Sequence, residues 1–175
     1  MDIKGAIEKN NIKKIKKFLA KEELYSDSYI ISVLSLSAQH KNVEVIKLFL
    51  NSNIADETKM ETFFFEKCCE YGTIEIIKIL IFDRNISVKY KDNFAFCMAA
   101  QNGFIDIVKL LLDNTLIDPT STQNYAIRNA NYNGYEDITE LLWKEQSVKN
   151  TLINNSKKLY ETLRKKDVEK NIKSF

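Results

Sequence analysis

Few residues in this chain are equipped for chemistry, and their spacing limits what each can do. His40 is the one histidine in 175 residues. An imidazole works as a general base only beside an orienting partner and a proton donor within reach, and no nucleophile of the chain stands in a recognisable catalytic context. Three cysteines, Cys68, Cys69 and Cys97, fall short of the three or four convergent ligands of a structural metal site once two of them are adjacent in sequence. Nor does an odd number make a disulfide framework, which points to a reducing compartment. Cys68 and Cys69 are expected as small core residues, and Cys97, in a variable position, as partly exposed. Four glycines leave no phosphate-cradling loop. The acidic pairs Asp56-Glu57 and Glu136-Asp137 read as solvated loop or helix-start residues. Asn154-Asn155-Ser156 matches a glycosylation acceptor, a modification foreign to the cytosol. No enzyme, metal or cofactor is expected.

The elements that carry these residues are helical. One proline and four glycines, far below ordinary usage of roughly 5% and 7%, leave little material for hairpins. At 45% hydrophobic the chain can build a core. The 26 basic and 24 acidic residues balance overall but not locally. Residues 1–40 hold 7 Lys against 5 acids, 41–143 hold 10 basic against 15 acidic, and 144–175 hold 9 against 4. Basic ends around an acidic middle argue against a nucleic-acid face, which concentrates positive charge where it works. The longest charge-free runs, 28–40 and 93–105, have 13 residues, short of the roughly 20 of a membrane helix. Met1-Asp2-Ile3-Lys4 is not the apolar stretch of a signal peptide. A cytoplasmic location is expected.

Gly72, Gly103 and Gly134 lie 31 residues apart, and the chain repeats at that period. In this register ISVLSLSAQHKNVEVIKLFL at 31–50 aligns with TFFFEKCCEYGTIEIIKILI at 62–81, NFAFCMAAQNGFIDIVKLLL at 93–112 and NYAIRNANYNGYEDITELLW at 124–143, and one step back with MDIKGAIEKNNIKKIKKFL at 1–19. One column is always apolar (Ile3, Leu34, Phe65, Phe96, Ile127). Three places on, another is always small (Ala6, Ser37, Cys68, Ala99, Ala130). That pairing predicts a first helix packed closely on a neighbour. After a turn at the glycine, or at Asn or Lys in the first two copies, a second helix carries the stripe Val43, Ile46, Phe49, Leu50, matched by Ile74, Ile77, Leu80, Ile81 and by Ile105, Val108, Leu111, Leu112. Acids in its first turn (Glu44, Glu75, Asp106, Asp137) suit the helix dipole. Helices of nine or ten residues are marginal alone, so stacking must stabilise them.

The end units depart from the middle as solvated caps would. Lys13, Lys14, Lys16 and Lys17 surround one apolar seam. Glu136 and Thr139 interrupt the last stripe, and 156–175 keep only sparse apolar positions. Trp143 takes a stripe position and is expected in the core.

A helix with a small pair, a glycine, and then a helix of the form seen in AAQNGFIDIVKLLL at 99–112 resembles the ankyrin repeat. The resemblance covers 1–143 directly and the tail by degenerate extension. It implies an all-α solenoid of stacked helix-turn-helix units, about 1–30, 31–61, 62–92, 93–123 and 124–154, with a C-terminal cap at 155–175, forming a single domain. The Thr-Pro-Leu-His opening is absent, with FAFC at 94–97 and YAIR at 125–128 in its place, so short or irregular tips are expected between repeats. The Lys/Asn/Ile-rich composition and the segment DPTSTQNYAIRNANYNGYEDITELL at 118–142 look like the ankyrin-repeat proteins of giant DNA viruses of amoebae.

What the family resemblance implies for function is a concave surface that binds a partner protein, a host protein if the chain is viral. By register, the residues before each inter-helix turn face it: Gln39, His40, Glu70, Tyr71, Gln101, Asn102, Tyr132 and Asn133. Lys59, Lys89 to Asp92 and Ser121 to Gln123 are further candidates at the tips. A well-capped array implies a monomer. Two other readings stay open: a structural or self-assembling component, for example of a viral particle, and a nucleic-acid binder acting through the basic tail 156–175.

Overall fold

The computed structural model describes residues 3–20, 26–52, 58–83, 85–88, 90–114 and 117–173. The described residues are helical, with no strand among them. The chain divides into two compact units, Met1–Tyr90 and Lys91–Phe175. In the 31-residue register this division falls beside the boundary between the third and fourth copies.

The first unit holds three helix pairs: α1 (Ile3–Glu8) with α2 (Ile12–Leu19), α3 (Asp27–Gln39) with α4 (Val43–Leu50), and α5 (Thr58–Tyr71) with α6 (Ile74–Lys78), which runs on as a π-helical turn over Ile79–Asp83. Successive first helices pack on one another, as do successive second helices. Phe18 and Phe49, one period apart, meet with ring centroids 6.3 Å apart. The second unit holds α7 (Tyr90–Gln101) with α8 (Ile105–Leu112), α9 (Ser121–Tyr132) with α10 (Glu136–Trp143), and the tail pair α11 (Gln146–Asn155) and α12 (Lys157–Lys173).

The turn between the helices of a pair is the same in all five copies. Asn10, Lys41, Gly72, Gly103 and Gly134 take φ of 47°, 53°, 76°, 80° and 78°. The left-handed residue lets the next backbone N–H reach five residues back into the first helix. Asn11, Asn42, Thr73, Phe104 and Tyr135 donate in this way to the carbonyls of Ala6, Ser37, Cys68, Ala99 and Ala130 at 2.7, 2.9, 2.9, 3.0 and 2.9 Å. The small column is therefore also the acceptor column of the helix cap. Its members are all buried.

Within the first unit the residue after each turn ties one copy to the copy before. Asn42 Nδ2 donates to the Ile7 carbonyl at 2.7 Å, and Thr73 Oγ1 donates to the Ala38 carbonyl at 3.4 Å. Neither side chain caps its own helix. In the second unit the corresponding bonds start each first helix. Asn93 Nδ2 donates to Ser121 Oγ at 3.1 Å, and Asn124 Oδ1 accepts from Thr151 Oγ1 at 2.8 Å. Asn93 and Asn124, one period apart, are buried with φ of 63° and 61°, a conformation that asparagine tolerates better than most residues.

The structure corrects the sequence reading in four places. First helices α3 and α5 have 13 and 14 residues, and α4, α8 and α10 have 8, where nine or ten were expected throughout; within α9 the backbone is left-handed from Thr122 to Asn124. The buried stripe of the second helix includes Val45, Ile76, Ile107 and Ile138, whereas Val43, Ile74 and Ile105 are only half-buried. Residues 146–155 form α11, although the period assigns most of them to a connection, because only Lys144 and Glu145 separate it from α10. Cys97 is buried, its thiol in hydrogen-bonding reach of Ser121 and of the Ala126 backbone at the start of the following copy.

In α2 only Ile15 and Phe18 are buried. Trp143 is buried beneath the tail, with the Tyr160 ring 5.5 Å from its own and Lys149 Nζ 5.2 Å from its centroid. The tip at 117–120 is an irregular turn in which Asp118 Oδ1 accepts from the Thr120 N–H at 2.9 Å and its hydroxyl at 2.7 Å.

Candidate functional site

The candidate residues sit where first helices end, and the two units are taken in turn. In the first unit Gln39 and His40 are exposed. His40 closes α3, its N–H donating to the Leu36 carbonyl at 3.0 Å. Glu70 and Tyr71 at the end of α5 are half-buried. Lys67 organises them, with Nζ 2.6 Å from Glu70 Oε2 and 5.9 Å from the Tyr71 ring centroid. The Glu70 hydrogen bond holds the Lys67 ammonium above its ordinary pKa, against the opposing effect of partial burial. This end of α5 thus presents an ordered cluster of a cation, an anion and two aromatic rings, Phe63 lying 5.7 Å from the same Nζ.

In the second unit Gln101 and Asn102 are half-buried at the end of α7, while Tyr132 and Asn133 are exposed at the end of α9. Gln101 joins the two helices. Its Oε1 accepts from Tyr125 Oη at 2.6 Å, and its backbone carbonyl accepts from Asn133 Nδ2 at 2.8 Å. These bonds occupy Gln101 and one amide of Asn133 and hold the surface in a single arrangement. Tyr132, at 86% exposure, stands out from that platform. An aromatic ring so exposed on a folded chain has the character of a binding anchor.

At the other end of α9, Thr122, Gln123 and Asn124 carry φ of 51°, 57° and 61°, a left-handed run costly for residues with side chains. Thr122 and Gln123 are exposed and Ser121 half-buried. The side chains of Lys59 and of Lys89 to Asp92 lie outside the described residues. Sequence reasoning missed the platform of Gln101, Tyr125 and Asn133, because it forms between residues 24 and 32 positions apart.

Among the described residues no three His, Cys, Asp or Glu side chains converge on a metal site. All three thiols are free and buried. Burial pushes the pKa of Cys68 and Cys69 up, and that of Cys97 up to about 11. All three should therefore resist a chromogenic disulfide reagent in the native protein at pH 8 and react at once in denaturant. A thiol titrating within seconds under native conditions would contradict this burial. Stability should be insensitive to Cys97 below pH 9. Above it the unfolded thiol ionises while the native one stays protonated to about 11, so stability falls across that window, by a total on the order of 3 kcal/mol.

The sequence pattern and the fold converge on one class of protein, a helical-repeat solenoid. A family profile described as ankyrin repeats (3 copies) matches residues 65–154, 90 of the 175, and the chain belongs to the ankyrin repeat family. No curated protein and no solved structure matches it significantly. No helix among the described residues is long and apolar enough to cross a membrane.

Proposed function

We propose that this protein is a non-enzymatic interaction module whose first-helix ends, Gln39, His40, Glu70, Tyr71, Gln101, Asn102, Tyr132 and Asn133, contact a partner protein. Ankyrin repeats are generally protein–protein interaction modules. The observation that carries the assignment is Tyr132, 86% exposed on a surface held by the Gln101 bonds to Tyr125 and Asn133. Rigid aromatic anchors bind well because little side-chain entropy is lost.

The same reading takes residues 1–175 as a single interaction domain, supported by the unbroken 31-residue register across Tyr90 and Lys91. It takes the protein as a cytoplasmic monomer, supported by three free buried thiols and by polar end helices. The Lys/Asn/Ile-rich composition, which resembles that of ankyrin-repeat proteins of giant viruses, makes a host protein the proposed partner.

Tagged wild-type chain and the double variant Tyr71→Ala/Tyr132→Ala, expressed in the cell of origin and captured in parallel, test the assignment. Proteins retained by the wild type should be lost or strongly depleted from the variant. Identical capture would remove the helix ends from the interface. Oligomers in solution would favour self-assembly instead, and steeply salt-dependent DNA or RNA binding lost on deletion of 156–175 would favour the nucleic-acid reading.

A further inference from the structure

At the tail of the second unit α11 packs on α9 as a further first helix would, and α12 meets α10 through polar side chains. A cleft of about 770 Å³ separates them, within the size range of sites that take large side chains or ligands. Thr139 stands on α10 where earlier second helices have Ile46, Ile77 and Val108, and α12 faces it with Lys166, Asp167, Lys170 and Asn171. Only Trp143 and Leu163 supply a buried apolar floor.

Polar contacts span this cleft. Lys170 Nζ lies 2.7 Å from both carboxylate oxygens of Glu140, Lys166 Nζ lies 3.8 Å from Glu136 Oε1, and Trp143 Nε1 donates to Asp167 Oδ2 at 3.3 Å. Glu136 and Glu140 are one helical turn apart, and so are Lys166 and Lys170, so α10 and α12 run in the same sense with matched spacing. The Glu140 hydrogen bond raises the pKa of Lys170. Both ion pairs join exposed side chains, the class that salt screens most readily. From Arg164 to Lys173 every residue of α12 is exposed, Val168 and Ile172 included. The second half of α12 is therefore held by polar contacts, with no buried apolar residue beyond Leu163.

We propose that the α10–α12 cleft is a docking slot for a basic helical segment of a partner protein, with two Lys or Arg residues one turn apart and an apolar residue between them. The second half of α12 fills the slot as a displaceable stand-in. Lys166 and Lys170 show which charges suit the carboxylates of Glu136 and Glu140, and the space over Trp143 and Leu163 receives the apolar side chain. The carboxylates of Glu136 and Glu140 disfavour a phosphate backbone as occupant. This slot uses none of the helix-end residues assigned above.

Trp143 is the sole tryptophan of the chain, so its emission reports the cleft directly. The probe is an alanine-based helical peptide with two lysines four residues apart and a leucine between them, and the control peptide has glutamates at the lysine positions. All proteins are full-length. Lys166→Glu/Lys170→Glu should open the slot, and its Trp143 emission should saturate with the lysine peptide at least about tenfold more tightly than in wild type. Glu136→Lys/Glu140→Lys should show no saturable change, and the glutamate peptide should not bind the opened variant. Equal affinity in the two double variants, equal binding of both peptides, or no response in the opened variant would overturn the proposal. Wild type alone gives a second readout. Raising salt from about 0.02 to about 0.5 M should shift Trp143 emission to the red as α12 loosens, and an unchanged spectrum would exclude a displaceable helix.

Discussion

Phe96→Ala is expected to lower the stability of the protein by about 3 to 5 kcal/mol, whereas Phe94→Ala, two residues away on the same helix, is expected to cost less than about 1 kcal/mol. The two rings lie on opposite sides of α7. Phe96 is fully buried and belongs to the column that is apolar in every copy, while Phe94 is 42% exposed. Removing the buried ring forfeits its transfer from water and leaves a cavity that backbones fixed by the turn bonds cannot close. Removing the exposed ring opens no cavity. Urea unfolding followed by circular dichroism measures both. Similar midpoints for the two variants would mean that the 31-residue register assigns the wrong face of α7 to the core.

A second pair of variants tests the turn that every copy shares. Gly103 and Gly134 have nearly the same backbone, with φ of 80° and 78°, but different neighbours. A Cβ at Gly103 would lie 2.5 Å from Tyr135 Cε1, and one at Gly134 would meet nothing within 4 Å. Gly134→Ala should therefore carry only the left-handed backbone cost, about 1 kcal/mol. Gly103→Ala should carry that cost and also displace the Tyr135 ring, for a total of about 2 to 3 kcal/mol. The Tyr135 ring is partly exposed and able to swing outward, which sets the upper limit. If both glycines cost the same, the ring does not pack against Gly103. If neither costs anything, the left-handed turn is not a constraint of the fold.

Much of this architecture is legible in the sequence because a repeat compares itself with its own copies. The small column from Ala6 to Ala130 predicted close packing, and the structure adds that its carbonyls accept the turn bonds. The glycines marked the turn in three copies, and Asn10 and Lys41 adopt the same backbone where no glycine stands. The buried column Val45, Ile76, Ile107 and Ile138 was harder to see, since in the first copy its position holds Lys14 and the stripe beginning at Val43 also has helical spacing. α11 was hidden because it follows α10 after two residues and breaks the period, with Val148 and Leu152 its only buried side chains. Cys97 was misread because its column, Ser35, Glu66 and Arg128, is chemically mixed, yet the start of the next copy buries it.

The candidate surface was legible by position and not by geometry. Register placed Gln101, Tyr132 and Asn133 at helix ends, but only the folded chain separates their roles. Gln101 and Asn133 spend hydrogen bonds on each other and on Tyr125, which leaves Tyr132 as the side chain free to enter a partner. Tyr71 differs from Tyr132 in being half-buried beside Lys67, so its removal should disturb the local cluster as well as any interface.

The most direct test of the proposed role is therefore calorimetric titration of a purified captured partner with wild-type protein and with Tyr132→Ala, together with the thermal midpoint of each. The interaction-module account predicts binding at least about tenfold weaker for Tyr132→Ala, a loss in the range of an interface hot spot, with thermal midpoints that agree. Equal affinity for the two proteins at equal stability would contradict it.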